Sequence, residues 1–218
     1  MGCDGRRGGG LNTDASDVRA ASLARTLTHP RVAALATRLR QHVPRNAVVT
    51  AHSKRAAVAA VLRVVGEPEL LFIKRADAPH DPWSGHVAFP GGRIETQDAS
   101  LEATAIRETF EELALDLTNG KILGQLDDLA PRSRALPPIV VRPFVAVVAP
   151  DVTFVASREV AAVFWVPLSK LEHNMARVEH VVQVNGVTAR FPAYRIDAHV
   201  VWGLTERIVR QLLSLLEP

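Results

Sequence analysis

The most constraining feature of this chain is a short apolar run that ends in two glycines and is followed by a helix with clustered acids. The run is His86–Pro90, the glycines are Gly91–Gly92, and residues 101–115 carry apolar side chains at helical spacing. Three acids stand at i, i+3 and i+4 of that helix: Glu108, Glu111 and Glu112. A strand, a glycine corner and an amphipathic helix in this order favour a layered structure of helices and sheet.

The rest of the chain alternates strand-like and helix-like segments in the same way. Val-rich and apolar runs predict strands at Ala56–Val65, Glu69–Lys74, Ile139–Val148 and Val160–Val166. Asn185–Gly186 between two β-branched runs predicts a hairpin, and Thr205–Leu216 predicts a closing helix. We therefore expect the α/β (α+β) class.

The beginning of the chain differs in composition from the remainder. Residues 1–16 form a Gly/Arg-rich tail with little apolar content, which predicts disorder. Residues 17–46 carry two short helical patterns separated by Pro30, which predict a broken helical lead-in. Residues 47–218 are left as one folded domain, consistent with ~100–200 residues per domain.

Composition excludes several classes of function. Twenty-six basic residues against 23 acidic ones give a net charge of +3, which is too small to predict binding to nucleic acid or to a membrane surface. The single cysteine, Cys3, excludes an internal disulfide and a zinc site built on cysteines. The chain shows no signal-peptide pattern and no apolar stretch of membrane length, so we expect a cytoplasmic protein.

The acidic helix has two interpretations. Clustered glutamates are common on solvated helix faces, where they serve no function beyond solubility. The same carboxylates also suit Mg²⁺, which prefers oxygen ligands and keeps open positions for phosphate oxygens. The apolar residues expected to face the core are Ala103, Ile106, Phe110 and Leu113.

Neighbouring residues favour the metal site. Because Gly92 has no side chain, its backbone can approach the helix closely and offer a carbonyl oxygen as a further ligand. Arg107 can hold a carboxylate through two hydrogen bonds, and Asp98, just ahead of the helix, is the expected partner.

The pattern Gly92-x5-Asp98-x8-Arg107-Glu108-x2-Glu111-Glu112 resembles the Nudix box, G-x5-E-x7-R-E-U-x-E-E-x-G-U, where U is a bulky apolar residue. Asp98 replaces a glutamate, with one extra residue before Arg107. Two further departures are Thr109, at the first apolar position, and Ala114, at the terminal glycine. The resemblance implies a Nudix-type α/β/α sandwich with a mixed central sheet.

The shorter acid and the added residue resemble the coenzyme A pyrophosphatase branch, whose box tends to begin FPGG-x2-[DE]-x2-D. Residues 89–98 read FPGGRIETQD. Segments 55–62, 159–168 and 201–205 resemble other parts of that branch, whereas the basic segment before FPGG is one residue longer here and lacks a Leu-Arg pair.

The resemblance implies a hydrolase that needs Mg²⁺ or Mn²⁺ and cleaves the diphosphate of a nucleoside diphosphate derivative. Coenzyme A or an acyl-coenzyme A would give 3′,5′-ADP and a 4′-phosphopantetheine. The implied metal ligands are Glu108, Glu111, Glu112 and the Gly92 carbonyl. The implied catalytic set is those glutamates with Arg107, and the resemblance does not determine which carboxylate accepts the proton of the attacking water.

Other residues have both a functional and a structural interpretation. Glu159 is a second candidate base or a simple loop cap, and Lys74 and Arg75 either contact phosphates or end a solvated strand. Trp83, flanked by His80 and His86, either covers a nucleotide base or anchors its own loop. Trp165 and Trp202 lie in apolar runs and are expected in the core.

The sequence is also compatible with other functions. One is the same reaction on a sugar nucleotide, a dinucleoside polyphosphate or a damaged nucleotide. Another is a non-catalytic nucleotide sensor, which has no physical need for three clustered acids. The sequence leaves both a monomer and a homodimer open.

Overall fold

The computed structural model describes residues 15–50, 53–79, 81–131, 136–173, 177–184 and 187–217. Two helices precede the strands: α1 (Ala15–Thr28) and α2 (Pro30–Gln41). The following elements are β1 (Lys54–Val65), β2 (Glu67–Arg75), β3 (Val87–Ala88), β4 (Gly91–Arg93), α3 (Leu101–Leu113), β5 (Lys121–Gln125), β6 (Ile139–Val147), β7 (Val160–Pro167), α4 (Leu168–Glu172), β8 (Arg177–Val184), β9 (Val187–Ile196), β10 (His199–Trp202) and α5 (Gly203–Ser214).

The central sheet has seven strands and is mixed, as predicted. Its order is β3-β2-β1-β6-β5, with β4 beside β1 and β7 beside β2. Strands β1 and β6 run parallel, and the other pairs are antiparallel. A second, three-stranded antiparallel sheet, β8-β9-β10, packs beside it. Residues 185–186 lie outside the described residues, but the register of β8 and β9 closes at Val184 and Val187, as the predicted hairpin requires.

Alternation along β2 divides the interior into two cores. Leu71 and Ile73 pack with α3 on one face, whereas Leu70 and Phe72 pack with α2, α5 and the second sheet on the other. This sandwich of helices around a mixed sheet confirms the expected fold class. It also places the acidic helix alone on its face of the sheet.

The two lead-in helices meet where the sequence predicts, at Pro30, which begins α2. Val32, Leu35 and Leu39 of α2 are buried in the core, because they lie on one face at helical spacing. Helix α1 begins at Ala15, within the last two residues of the segment predicted as a tail; residues 1–14, including Cys3, lie outside the described residues. No helix in the described ranges combines the length and apolarity that crossing a membrane requires.

Candidate active site

The glycine corner joins the main sheet to the acidic helix. Strand β4 pairs with β1 so that Gly91 lies opposite Val58. Gly91 adopts φ 149°, and a Cβ there would lie 2.6 Å from the Val58 Cα. No larger residue fits between these strands. The Gly91 N–H donates a hydrogen bond of 2.9 Å to Glu112 Oε2.

Gly92 faces the acids directly. A Cβ at Gly92 would overlap the carboxylate of Glu108, with Oε2 only 2.6 Å away. The missing side chain therefore leaves room for a carboxylate beside a strand backbone. This is the close approach that the sequence predicts for this glycine.

Helix α3 begins at a regular cap, and its buried face is rotated away from Phe110, although Leu113 is buried as predicted. Ser100 accepts a hydrogen bond of 3.1 Å from the Ala103 N–H. The buried residues of α3 are Leu101, Thr104, Ala105, Thr109, Glu112 and Leu113. The prediction that Phe110 faces the core is wrong, since Phe110 is 56% exposed.

Small and hydrogen-bonded side chains explain that rotation. Thr109 Oγ1 donates 2.7 Å to the Ala105 carbonyl within the same helix, so its hydroxyl can be buried without penalty. Ala105 and Thr109 allow the helix to lie close to the strands. Ile106 is only partly buried at the margin of that contact.

Arg107 holds Asp98 as predicted. Its Nε and Nη2 donate hydrogen bonds of 2.9 Å each to the two carboxylate oxygens. Asp98 also accepts 2.9 Å bonds from the Glu95 N–H and the Thr104 hydroxyl. Chiefly because of the Arg107 hydrogen bonds, the pKa of Asp98 lies well below its usual range, and the pKa of Arg107 is raised by the same contact. The clamp fixes the loop before α3 to the helix.

The same guanidinium contacts two of the three clustered acids. Nη1 of Arg107 lies 3.1 Å from Glu108 Oε1 and 3.0 Å from Glu111 Oε2. Glu111 is largely exposed, whereas burial raises the pKa of Glu108 against the opposing charge of Arg107. The two carboxylates thus converge on one cationic nitrogen.

Glu112 is the most buried of the three clustered glutamates, with 4% of its surface exposed. Burial raises its pKa to about 7, and the negative charges of Glu108 and Glu159 act in the same direction. The Gly91 hydrogen bond and Arg75 oppose that shift. A buried carboxyl titrating near neutrality, in a group of acids, is a common property of functional sites.

Of the two basic residues at the end of β2, only Arg75 lies at the acids. Arg75 Nη1 lies 3.8 Å from Glu112 Oε1, and its Nη2 donates 2.8 Å to Asp81. Its Nε is buried and has no acceptor among the described residues, so the guanidinium retains a free donor. Lys74 extends to the opposite face of the sheet and lines a cavity there.

Two further residues, Asp81 and Glu159, lie near the acids. The sequence did not single out Asp81, which positions Arg75 from a Pro-rich loop; no periodic pattern marks such a residue. Glu159 is exposed at the start of β7, and the Ala76 N–H donates 2.8 Å to its carbonyl. That bond keeps Glu159 near the end of β2 and within electrostatic range of Glu112.

The loop before β3 is anchored by its own aromatic residue. Trp83 packs against Ala56, Ile139 and Val141, which favours the structural interpretation of that indole. His80 lies outside the described residues. Trp202 is not a core residue as expected but lines the cavity with His86, and Trp165 lies partly buried under the Arg63 guanidinium.

Comparison with known proteins decides the family. The family model of the NUDIX domain matches residues 53–183, which span β1 to β8 and contain every acid described above. The chain belongs to the Nudix hydrolase family.

Its relatives share most of its length. An uncharacterized Nudix hydrolase, NudL, from Yersinia enterocolitica is 33% identical over 177 residues, covering 81% of this chain and 88% of the relative. NudL from an Enterobacter species is 36% identical over 160 residues, covering 73% and 81%. The crystal structure of a MutT/nudix family protein from Enterococcus faecalis has a TM-score of 0.54 and 14% identity, covering 89% of this chain and 73% of that one.

The departures from the Nudix box are accommodated locally. Asp98 reaches Arg107 despite the shorter side chain, and Thr109 fills the first apolar position with its hydroxyl bonded inside the helix. Ala114 ends α3 in the left-handed region at φ 50°, where the box has glycine. For a residue with a Cβ this conformation costs roughly 1–2 kcal/mol.

Nudix hydrolases generally use divalent metals, and the residues present suit one. In the described part of the chain no three acidic or histidine side chains stand close enough to hold an ion as they are. Glu108 and Glu111 nevertheless already meet around the positive charge of Arg107 Nη1, and the missing side chain of Gly92 leaves room for the Glu108 carboxylate beside the strand. A divalent ion at this position would take the place of the positive charge of Arg107 as their partner.

Proposed function

We propose that this chain is a divalent-metal-dependent diphosphatase whose substrate is coenzyme A or an acyl-coenzyme A, releasing 3′,5′-ADP and a 4′-phosphopantetheine. The observation that carries the reaction class is the packing of Glu108 and Glu112 against the Gly91–Gly92 backbone, with Arg75 at 3.8 Å from Glu112. Oxygen ligands for a cation and a guanidinium for a phosphate lie side by side. Both kinds of group stabilise the negative charge that develops during hydrolysis of a diphosphate.

The metal ligands in this proposal are Glu108, Glu111, Glu112 and the carbonyl oxygen of Gly92. When bound, Mg²⁺ or Mn²⁺ would neutralise the bridging and leaving oxygens and make a water molecule easier to deprotonate. The residues of the chain contribute position and charge. Arg107 fixes α3 through Asp98, and Arg75, held by Asp81, directs guanidinium donors at the diphosphate.

Two carboxylates compete for the proton of the attacking water. Glu112 is buried beside the other acids, and in the metal-free protein its pKa is about 7. Glu159 is exposed next to it and free to approach a substrate. We propose Glu112 as the acceptor. E159Q should then retain the pH profile of the wild type, while E112Q loses it; the reverse result would assign Glu159.

The substrate proposal rests on residues 89–98, FPGGRIETQD, which resemble the coenzyme A branch. The structure accommodates that form of the box because the extra residue still lets Asp98 reach Arg107 at 2.9 Å. The basic segment of that branch is altered here, in the loop that holds Asp81 and Trp83. Substrate selection is therefore tested directly, with a panel of diphosphates.

The test is a panel of diphosphates incubated with purified protein and Mg²⁺ or Mn²⁺, with products separated by chromatography. We expect coenzyme A to be cleaved to 3′,5′-ADP faster than ADP-ribose, a sugar nucleotide or a dinucleoside polyphosphate. Preferential cleavage of another compound would replace the substrate and keep the reaction. A panel left intact would favour the nucleotide sensor. E102Q is the matched control for E112Q, because Glu102 is exposed on the first turn of α3.

A further inference from the structure

A cavity of about 480 Å³ lies between the β3 edge of the main sheet and the three-stranded sheet. It is on the face of the main sheet opposite to α3, outside the acidic site. Lys74 and His86 line it from the main sheet, and His180, His199 and Trp202 line it from the second sheet. This volume falls within the ~300–1,000 Å³ of small-molecule sites.

Aromatic rings line the walls of the cavity. The Trp202 indole lies 4.9 Å from the His86 ring and 4.8 Å from the His180 ring, between centroids. His199 stacks on Phe164 at 4.5 Å with an interplanar angle of 9°, which holds the imidazole flat against the wall. Flat π surfaces of this kind suit a planar aromatic ligand such as a nucleobase.

The polar groups of the cavity suit a base and an anion. Lys74 makes no ion pair within the described ranges, and no carboxylate is among the lining residues. Burial lowers the pKa of His86, so its imidazole is neutral at neutral pH and can both donate and accept a hydrogen bond.

The cavity adjoins the acidic site through two consecutive residues. Lys74 faces the cavity, while Arg75 extends through the other face of the strand to Glu112. The Arg75 N–H donates 3.0 Å to the His86 carbonyl, which ties the cavity wall to the same strand end. One extended molecule can therefore contact both sites around the end of β2.

We propose that this cavity binds the nucleoside phosphate portion of the substrate, with the base against Trp202 and a phosphate at Lys74. The inference rests on the proposed function and names the part of the substrate that lies away from the acids. His199 and Trp202 follow residue 183, where the family match ends. Contacts to the nucleoside are thus assigned in part to residues outside the NUDIX match.

The test is calorimetric binding of AMP and adenosine to the whole chain without metal, which is independent of turnover. W202L should weaken both ligands at least ~10-fold, and K74M should weaken AMP ~10-fold while changing adenosine less than about twofold. W165L and K121M are the matched controls, since Trp165 and the exposed Lys121 lie outside the cavity. Thermal melts identify any variant that fails to fold, and H180A then replaces W202L.

The two proposals fail in different ways. If W202L, H180A and K74M all bind AMP like the wild type, or if the wild type does not bind AMP at millimolar concentration, the cavity assignment is overturned whatever the turnover. If AMP binding depends on these residues but no diphosphate is cleaved, the cavity assignment holds and the proposed reaction fails.

Discussion

Glu112 accepts a hydrogen bond of 2.9 Å from the backbone N–H of Gly91, across the contact between α3 and β4. This bond joins the most buried of the three clustered glutamates to the glycine corner. Burial raises the pKa of Glu112 to about 7, although the hydrogen bond from Gly91 acts in the opposite direction.

Substitution of Gly92 should separate activity from stability. In G92A the new Cβ overlaps the Glu108 carboxylate, which lies at the end of a flexible side chain and can swing away. We expect turnover to fall at least ~10²-fold, as for loss of an electrostatic stabiliser, with little change in melting temperature. E102A is the control, because Glu102 is exposed on the first turn of α3. Wild-type turnover in G92A would exclude Glu108 from the site.

Protonation of Glu112 should be visible in the pH dependence of stability. The folded pKa of about 7 exceeds the ordinary 4.5, so the folded state binds the proton more tightly. Stability from this group is complete below about pH 4.5 and is lost as pH rises toward 7, by about 3 kcal/mol. E112Q has no carboxyl group to titrate at this position. Its free energy of unfolding should therefore rise relative to that of the wild type between these pH values.

A divalent ion should reverse that trend, because it favours the charged form of Glu112. We expect Mg²⁺ to raise the wild-type melting temperature more at about pH 8 than at about pH 5.5, and to affect E112Q little. Parallel melting curves for wild type and E112Q, with and without metal, would show that Glu112 neither titrates in this range nor meets the ion.

The Asp98–Arg107 clamp should contribute acid-dependent stability of the opposite sign. Since the folded pKa of Asp98 is depressed, its contribution is present above the unfolded value of 3.8 and is lost as pH falls below it. R107M leaves a buried carboxylate unpaired and should cost about 3–5 kcal/mol in urea unfolding. The advantage of wild type over D98N should shrink as the solution is acidified, whereas D77N, on an exposed residue, should match the wild type throughout.

The orientation of α3 gives a stability test of its own. Phe110 is largely exposed, so F110A should cost less than about 1 kcal/mol, whereas L113A, in the core, should cost about 2–5 kcal/mol. Equal losses in urea unfolding would mean that Phe110 also packs against the sheet.

Sequence reasoning predicted those parts of the fold that depend on local periodicity and pairing. Val-rich and apolar runs predicted β1 and β2, Pro30 divided the lead-in helices, and the spacing of Asp98 and Arg107 predicted their pairing. Each of these is a property of neighbouring residues. The short strands β5 and β10 were not predicted, since they depend on pairing with partners far away in the chain.

The orientation of the side chains at the site could not be predicted from the sequence. Counting apolar residues assigned Phe110 to the core, but burial on α3 depends on how closely Ala105 and Thr109 let the backbone approach the sheet. Likewise, Lys74 and Arg75 are equivalent in sequence, and only the alternation of β2 within a two-faced sheet separates them. Side-chain orientation relative to distant elements is not encoded in local composition.

Titration of the protein with Mn²⁺, followed by electron paramagnetic resonance of the free ion, tests the acidic site most directly. We expect the wild type and E102Q to bind Mn²⁺ equally, and E108Q and E112Q to bind it at least ~10-fold more weakly. Equal Mn²⁺ affinity in all four proteins would contradict the assignment of these glutamates as the metal site.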